Sequence, residues 1–388
     1  MINELKNVPE LRFPGFSEEW KAHYLNEILE VKAGKDYKHL EKGEYPVYGT
    51  GGYMLSVSNF LYEEEAIGIG RKGTINKPYL LKGPFWTVDT LFYCVPKNEN
   101  EVQFLLNLFK TINWKIYDES TGVPSLSKVT INKINKIVPE FNEQQKIGDF
   151  FNKLDRQIEL EEQKLEKLEE QKKGYMQKIF SQELRFKNEN GNNYPDWEVK
   201  KIGEIMDVTS VKRIHQSDWT NEGVKFIRAR DIVSRYKGKI VENPLFISKE
   251  RYEEYSKLSG KVKIGDLLVT GVGTIGVPLL INNEKPIYFK DGNIIWLKNE
   301  GNIDKNFLFY SFISRETQNF IKSVAGIGTV GTYTISNAKK TPILLPVSIE
   351  QVKIGNFFNE LDKSIKKQNK KVDLLKQRKK GFLQKMFV

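Results

Sequence analysis

Two glycine-rich stretches carry the spacing of a dinucleotide-binding loop. Residues 68–73 read GIGRKG and residues 271–276 read GVGTIG, so both match G-x-G-x-x-G. In a dinucleotide-binding fold this loop opens a helix whose N-terminus receives the pyrophosphate. Here Pro78 and Pro278 follow closely, with Thr and Ile between, which is typical of strands and turns. A third match, at residues 326–331, shows that the pattern arises easily in this chain. The sequence therefore predicts glycine-bearing turns and no bound nucleotide.

Residue types that catalyse reactions or hold metals are scattered along the chain. His23, His39 and His215 are far apart and Cys94 is the single cysteine, so the ligand spacing of a zinc site is missing. The sequence contains no G-x-S-x-G and no Walker A loop. An amino-methyltransferase needs N/D-P-P-Y/F, and the nearest stretches, NKPY at 76–79 and NPLF at 243–246, both depart from it. We therefore expect a non-catalytic chain that binds no metal and no cofactor of its own.

Basic and polar side chains beside glycines remain as candidates for binding. Glycine lets a backbone approach a ligand closely, while Arg and Asn can read guanine and adenine edges. Read as a strand, VKFIRARD would place Arg228 and Arg230 on one face, because side chains alternate along a strand. A solvated surface explains any one of these residues, but their recurrence in two comparable segments favours binding. The candidate DNA-contacting residues are Arg71, Lys72, Thr74, Asn76, Lys77, Ser125, Ser127, Lys128, Lys212, Arg213, Lys225, Arg228, Arg230, Thr274, Thr332 and Tyr333.

An internal repeat organises the chain that positions these residues. Residues 143–180 begin EQQKIGDFFNKLD and end KKGYMQKIF, and residues 350–387 begin EQVKIGNFFNELD and end KKGFLQKMF. LRF also recurs, at residues 11 and 184, in the stretch that leads into each helical repeat. The layout is a globular head, a helix, a second head and a second helix. We predict mixed α/β (α+β) heads at 1–140 and 184–346, and helical spacers at 141–183 and 347–388.

The two helices carry a coiled-coil seam, because their apolar residues alternate in steps of three and four. Glu161 and Lys172 interrupt the first seam, and Gln368 and Lys379 the second. An antiparallel pairing within the chain, with partner numbers summing to 540, would match Glu161 with Lys379 and Lys172 with Gln368. Pairing of each helix with another chain is the alternative. The predicted seam comprises Ile147, Phe151, Leu154, Ile158, Glu161, Leu165, Leu168, Lys172, Ile179, Leu361, Ile365, Gln368, Val372, Leu375, Lys379, Phe382 and Met386.

The composition of the chain limits the kinds of partner it can have. The 388 residues carry a formal net charge of +11, which favours a polyanionic partner such as nucleic acid, although a lysine-rich composition alone would also produce it. No apolar run reaches the length of a membrane span, and no secretory signal is evident. A single cysteine excludes an intrachain disulfide framework. We therefore expect a cytoplasmic protein without membrane contact.

These residues together resemble the specificity subunit of type I restriction-modification systems. The similarity rests on LRFPGF…EW, LRF…YPDWEVKKIGEI and the repeated beginnings and ends of the two helices, and it covers nearly the whole chain. It implies two target-recognition domains, each reading half of a split sequence in double-stranded DNA. It also implies that the helices set the gap between the halves and dock two modification subunits. Those subunits would carry S-adenosylmethionine and methylate adenine, and further restriction and motor subunits would cut the DNA.

Two other classes of function stay open at this point. The chain could be a stand-alone, two-headed DNA-binding regulator that works without enzyme partners. It could also be a structural coiled-coil protein whose basic charge binds RNA or a membrane surface. Sequence preference in DNA binding, and association with a methyltransferase, separate the three hypotheses.

Overall fold

The computed structural model describes residues 7–97, 99–325 and 331–388 and divides into two compact units. The first comprises Met1–Gln163 with Asn369–Val388, and the second Lys164–Gln368. Each unit therefore combines one head with a part of both long helices. The predicted boundaries of the four segments stay a prediction.

The first unit is a mixed head on a helical stem. Its main sheet has the strand order β2-β8-β5-β6, all antiparallel, and a smaller sheet has the order β4-β3-β7. The elements are β1 (Lys21–Tyr24), α1 (Leu25–Ile28), β2 (Leu29–Ala33), β3 (Lys42–Gly49), β4 (Gly52–Val57), β5 (Ala66–Gly70), β6 (Tyr79–Leu81), β7 (Trp86–Thr87), β8 (Leu91–Pro96), α2 (Val102–Thr111), a 3₁₀ turn (Trp114–Tyr117), α3 (Lys128–Asn132), β9 (Asn135–Val138) and the start of α4 (Phe141–Phe180).

The second unit repeats this frame with a larger second sheet. The order β11-β18-β15-β16 corresponds to the main sheet of the first unit, and β12-β14-β13-β17 forms the other. The elements are β10 (Glu198–Lys201), α5 (Ile202–Ile205), β11 (Asp207–Thr209), a 3₁₀ turn (Gln216–Asp218), β12 (Trp219–Thr220), β13 (Val224–Ile227), α6 (Ala229–Tyr236), β14 (Leu245–Ile247), α7 (Lys249–Ser259), β15 (Leu267–Thr270), β16 (Pro278–Leu280), β17 (Ile287–Phe289), β18 (Ile294–Lys298), α8 (Lys305–Ile313), α9 (Arg315–Val324), α10 (Ile335–Lys340), β19 (Pro342–Leu345) and α11 (Ser348–Lys385).

A buried carboxylate at the start of each long helix fastens the helix to its head. In the first unit Glu143 accepts two hydrogen bonds from the Arg12 guanidinium, both 2.7 Å, and one from the Trp20 indole at 3.2 Å. In the second unit Glu350 accepts from Arg185 and from the Trp197 indole in the same way. The repeated Arg, Trp and Glu are therefore the three parts of one clamp, which is built twice.

The next repeated residues seat the long helix against a shorter one. Gln144 accepts a hydrogen bond from the Glu101 backbone N–H at 3.1 Å, and Glu101 in turn caps α2 through Gln103 and Phe104. Gly148 lies so close that a Cβ there would be 2.1 Å from Glu101 Oε2. The second unit repeats this contact with Gln351, Asp304 and Gly355. The recurring Gln and Gly of the stretch EQ…G therefore hold each long helix against a shorter helix. The sequence alone does not reveal this role.

Within each unit the two long helices run antiparallel, as predicted. In the first unit the Phe150 and Phe382 rings lie 5.0 Å apart, and Lys379 binds Asp155. In the second unit Lys172 binds Asp362 at 2.5 Å. Every predicted seam residue is buried or half-buried, from Ile147 in α4 to Met386 in α11.

The predicted register is wrong by about one heptad. The partner numbers sum to 532 for Phe150 and Phe382 and to 534 for both lysine–aspartate pairs, rather than to 540. Lys371 binds Glu161 and Asp362 binds Lys172, while Lys379, the predicted partner of Glu161, binds Asp155. A heptad shift keeps every apolar residue on the seam, so the apolar pattern does not distinguish the two registers. The lysines choose the register because they reach carboxylates beside the seam.

Burial of the charged Lys110, near the end of α2, destabilises the first unit. Its Nζ lies 3.6 Å from Asp155, which Lys379 also binds. Burial lowers the pKa of Lys110 to about 8, and the positive charge of Lys379 acts in the same direction. Counted from the capping residues Glu101 and Asp304, the matching position of α8 is Ile313.

Replacing Lys110 with isoleucine is therefore expected to stabilise the protein. The folded state penalises the charged lysine fully below pH 8, and this penalty disappears as the pH rises toward the ordinary value of 10.5. The side chain is one-quarter exposed, so we expect a gain of about 1 kcal/mol at pH 7 that shrinks by pH 10. Urea unfolding of both proteins at the two pH values measures it. A less stable variant at pH 7 would show that the Lys110–Asp155 attraction outweighs burial.

Candidate nucleic-acid interface

Three loops of the first head meet at the end of β5. The Arg71 N–H bonds to the Thr90 carbonyl at 2.8 Å, which joins the loop after β5 to the turn before β8. The Gly73 N–H bonds to the Pro124 carbonyl at 2.8 Å, and the Leu126 N–H bonds to the Arg71 carbonyl at 2.9 Å. Loops 71–77, 88–90 and 124–126 therefore form one continuous surface, which we call the first loop edge.

The glycines of GIGRKG make this junction possible and do not open a helix. A Cβ on Gly70 would lie 2.2 Å from the Thr74 carbonyl oxygen, and Gly73 has φ +90°. The next regular element along the chain is the strand β6. A tight turn of this kind needs glycine, because other residues avoid positive φ. The predicted turns are confirmed, and the residues lack the helix start on which a dinucleotide site depends.

The second head has the corresponding surface, which we call the second loop edge. The Tyr333 N–H bonds to the Gly271 carbonyl and the Gly271 N–H to the Asn293 carbonyl, each at 2.8 Å. From the same turn Asp291 accepts a hydrogen bond from Arg213 Nε at 2.9 Å. Isolated β-bridges join Lys72 with Ser125 in the first head and Val272 with Thr332 in the second. The two edges thus share a backbone frame, and loops 271–274, 290–293 and 332–333 make up the second.

The first loop edge brings together several of the predicted residues and leaves them accessible. The Arg71 guanidinium donates a hydrogen bond to the Asp89 carbonyl at 3.3 Å and lies 5.9 Å from the centre of the Phe92 ring. This contact directs a positive charge across the turn at 88–90. The residues Lys72, Asn76, Lys77 and Lys128 are exposed, and Thr74 and Ser125 are half-buried.

Ser127 has a different role from the predicted one. Its hydroxyl accepts the Thr130 N–H as the N-cap of α3 and donates to Glu119 at 2.8 Å. Hydrogen bonds from Thr130 and Ser127 lower the pKa of Glu119. The hydroxyl is therefore committed to the fold, in the N-cap role for which Ser is a preferred residue.

Arg228 is also committed to the fold, and the predicted strand VKFIRARD, residues 224–231, is four residues longer than the observed one. β13 ends at Ile227, so Arg228 caps α6 and Arg230 lies in that helix. The Arg228 guanidinium donates two 2.9 Å hydrogen bonds to Asp231 and one to the Asn243 carbonyl. Arg228 and Arg230 therefore do not share a strand face. Arg230 remains exposed, as does Lys225 on β13.

Tyr333 is a core residue and not a DNA contact. Its side chain is 2% exposed, and its hydroxyl pairs with Thr341 at 2.6 Å. Burial raises the pKa of this hydroxyl. The neighbouring Thr332 is exposed, as is Thr274 across the loop edge. Of the third glycine stretch, residues 326–330 lie outside the described part of the chain.

The other candidates of the second head lie on its surface near the loop edge. Lys212 is exposed and places its Nζ 4.3 Å from the centre of the Tyr255 ring. Its neighbour Arg213 reaches Asp291 on the loop edge itself. The pair therefore adds two positive charges beside the turn at 290–293.

Sequence reasoning missed the turn that connects each loop edge. Asp89 and Thr90 occupy it in the first head, and Asp291 and Asn293 in the second, as the partners of Arg71, Arg213 and Gly271. An Asp-containing turn precedes the strand LFYCVP and the strand IIWLK, so the signal was a second recurrence at a comparable place. Acceptors on this turn orient the cations of the edge.

The chemistry of these edges is that of recognition. Among the described residues no group of three or more His, Cys, Asp or Glu side chains could hold a metal ion. Cations beside exposed hydroxyl and amide groups suit phosphate contacts and base edges respectively. Across the same described ranges, none of the helices combines the length and apolarity that crossing a bilayer requires.

Comparison with known proteins decides the family. The profile of the type I restriction modification DNA specificity domain matches residues 17–170 and 194–376, which is one match for each head with its helix. The chain belongs to this family. A specificity subunit recognises DNA and is not the enzyme of its complex, in agreement with the expectation of a non-catalytic chain.

Two curated relatives extend the similarity along the chain. The type I restriction enzyme MjaVIII specificity subunit of Methanocaldococcus jannaschii is 27% identical over 311 residues, covering 74% of this chain and 70% of that protein. A putative type I restriction enzyme specificity subunit of Haemophilus influenzae, S.HindORF215P, is 24% identical and covers 90% and 88% respectively.

A solved structure shares the fold of this specificity subunit. The crystal structure of the type I restriction-modification system S subunit from M. genitalium superposes with a TM-score of 0.67. It is 15% identical and covers 98% of this chain and 99% of that one. The likeness confirms the predicted fold class.

Proposed function

We propose that each head reads one half of a split DNA target through its loop edge. The observation that carries the proposal is one backbone frame that presents different side chains. The bridge formed by Lys72 and Ser125 in the first head is formed by Val272 and Thr332 in the second. Arg71, at the centre of the first edge, corresponds to Gly271. A shared frame with exchanged side chains suits two readers of different base sequences.

Membership of the family supports a proposal for the finer roles. We propose that the chain works in the cytoplasm within a complex that contains two modification subunits and, for cleavage, restriction and motor subunits. S-adenosylmethionine would be bound by the modification subunits. The helix pair would set the gap between half-sites, since α4 alone has 40 residues and so spans about 60 Å.

Replacing Arg71 with alanine tests the assignment of the first loop edge. We expect the affinity of the complex for its target duplex to fall by about 10- to 100-fold, the range of a lost arginine–base contact. Base changes in one half-site should then be tolerated, while the other half-site keeps its discrimination. Binding competition, together with mapping of methylated sites, measures both effects.

Lys21→Ala is the matched control, because it removes one positive charge from the same head at a pair with Glu140. It should leave the half-site preference unchanged. Equal losses for both variants would reduce the role of Arg71 to general charge and contradict the assignment. Tight, sequence-specific binding by the chain without modification subunits would instead favour a stand-alone regulator.

A further inference from the structure

A basic projection lies outside the second loop edge. It comprises Arg230 and Arg235 in α6 and Lys237, Lys239 and Ile240 just after that helix, and we call these residues the basic tip. Ile240 is 90% exposed, whereas the other exposed large apolar side chains of the described residues reach at most 68%. Full exposure forgoes the stabilisation that burial of such a side chain would contribute.

The tip is held in a fixed conformation. The Gly238 N–H bonds to the Arg235 carbonyl and the Lys239 N–H to the Ser234 carbonyl, and Gly238 has φ +67°. These bonds form a Schellman motif, which ends α6 sharply. An apolar residue commonly packs back onto the helix after this motif, but here Ile240 points into solvent.

A half-buried arginine braces the base of the tip. Arg228 binds Asp231 in the first turn of α6, and its Nη2 also donates to the Asn243 carbonyl, in the bend before β14, at 2.9 Å. One side chain therefore ties both ends of the segment 229–243 together. Because the tip is already ordered, it would lose little conformational entropy on binding.

The charge of the tip points to a polyanion. Segment 229–243 contains four cations and two acids, and one acid, Asp231, is buried against Arg228. Ile240 lines two depressions. Arg230 and Lys239, with the acids Asp231 and Glu242, line one of about 570 Å³. Lys225, Arg235 and Lys239, with Asp231, line the other, of about 350 Å³. Cations therefore lie in both depressions beside a single apolar side chain.

This arrangement fits a DNA groove better than a protein surface. Protein interfaces have an apolar core that is poor in charged residues, and lysine is depleted there. DNA offers two rows of phosphates with base edges between them, and proteins insert single isoleucine or leucine side chains at base steps. Cations on both flanks match the phosphates, and Ile240 matches the space between them.

We propose that the basic tip enters a groove of duplex DNA, where its cations contact phosphates of both strands and Ile240 wedges against a base step. The inference rests on the proposed function of the second head and adds a second contact to it. Wedging unstacks bases locally and bends the duplex. The tip therefore adds a deformability requirement to the half-site that the second head reads.

Fluorescence of 2-aminopurine tests the wedge in the assembled complex of chain and modification subunits. The probe is placed at successive steps of the second half-site, because its emission rises on unstacking. The wild type should raise emission at one step. Ile240→Ser should abolish the rise and weaken binding about tenfold, as expected for a lost apolar contact. Ile116→Ser, which alters an isoleucine exposed in the first head, should change neither.

A salt titration tests the cations separately. Changing Lys237 and Lys239 to glutamine should reduce the slope of log affinity against log salt by about two, equally for target and unrelated duplexes. Unchanged thermal midpoints would show that the variants fold.

Three results would overturn the proposal. Ile240→Ser could retain the fluorescence rise and the affinity while the wild type still prefers its target, in which case only the wedge is wrong. The variant could instead weaken binding of the modification subunit without DNA, making the tip a protein-binding surface. Absence of any sequence preference in the wild type would refute the proposed function itself.

Discussion

Replacement of Glu350 by alanine is expected to lower the free energy of unfolding of the second unit by about 3–5 kcal/mol. Glu350 is fully buried and accepts hydrogen bonds from Arg185 and from the Trp197 indole. The alanine variant leaves the Arg185 guanidinium, itself 13% exposed, without this partner. Breaking a buried pair on one side costs far more than an exposed pair contributes, because an uncompensated charge stays behind.

Urea unfolding, together with hydrogen exchange in the second unit, measures the loss. Two controls bracket it. Glu360→Ala removes an exposed partner of Lys363 from the same helix and should cost less than about 1 kcal/mol. The double change of Arg185 to methionine and Glu350 to leucine removes both charges and should be milder than Glu350→Ala alone. If the Glu350→Ala variant is as stable as the Glu360→Ala control, the clamp is contradicted.

Replacement of Gly355 by alanine is expected to destabilise the second unit by about 2–4 kcal/mol. The added Cβ would lie 2.4 Å from Asp304 Oδ1 and 2.9 Å from the Phe307 backbone nitrogen. Asp304 caps α8 through Asn306 and Phe307, so the substitution both overpacks the contact and displaces a cap.

Gly381→Ala supplies a control of the opposite sign in the same helix. Nothing lies within 4 Å of a Cβ at Gly381. Alanine is the better helix former, so this variant should gain about 0.5–1 kcal/mol. Thermal or urea unfolding of the two variants compares them directly. If both substitutions stabilise the protein, the close seating of α11 on α8 is wrong.

The architecture could be predicted because it is written in local and repeated patterns. The helices α4 and α11 follow from a three–four spacing of apolar residues that is broken only twice in each helix, and the two heads follow from the recurrence of LRF, Trp and EQ. The register could not be predicted from the apolar pattern, because a heptad shift returns every apolar residue to the seam. Asp155 and Asp362 decide it from positions beside the seam.

The exposure of several candidate residues could be predicted from the sequence, whereas their role in binding DNA stays a prediction. Arg71, Lys72 and Thr332 lie on the loop edges as expected, because basic and polar residues beside glycines stay accessible. Arg228 and Tyr333 were wrong because their partners, Asn243 and Thr341, lie elsewhere in the chain. Composition shows which groups could bind a ligand, but tertiary partners decide which of them are already committed.

The paired lysines of the helical stem have a mechanical consequence. Lys379 forms an ion pair with Asp155 in the first unit, and Lys172 forms one with Asp362 in the second. Sliding α4 along α11 by a heptad would preserve the apolar packing of the seam but would break both ion pairs. In each unit, one ion pair therefore opposes a heptad slip of α4 along α11.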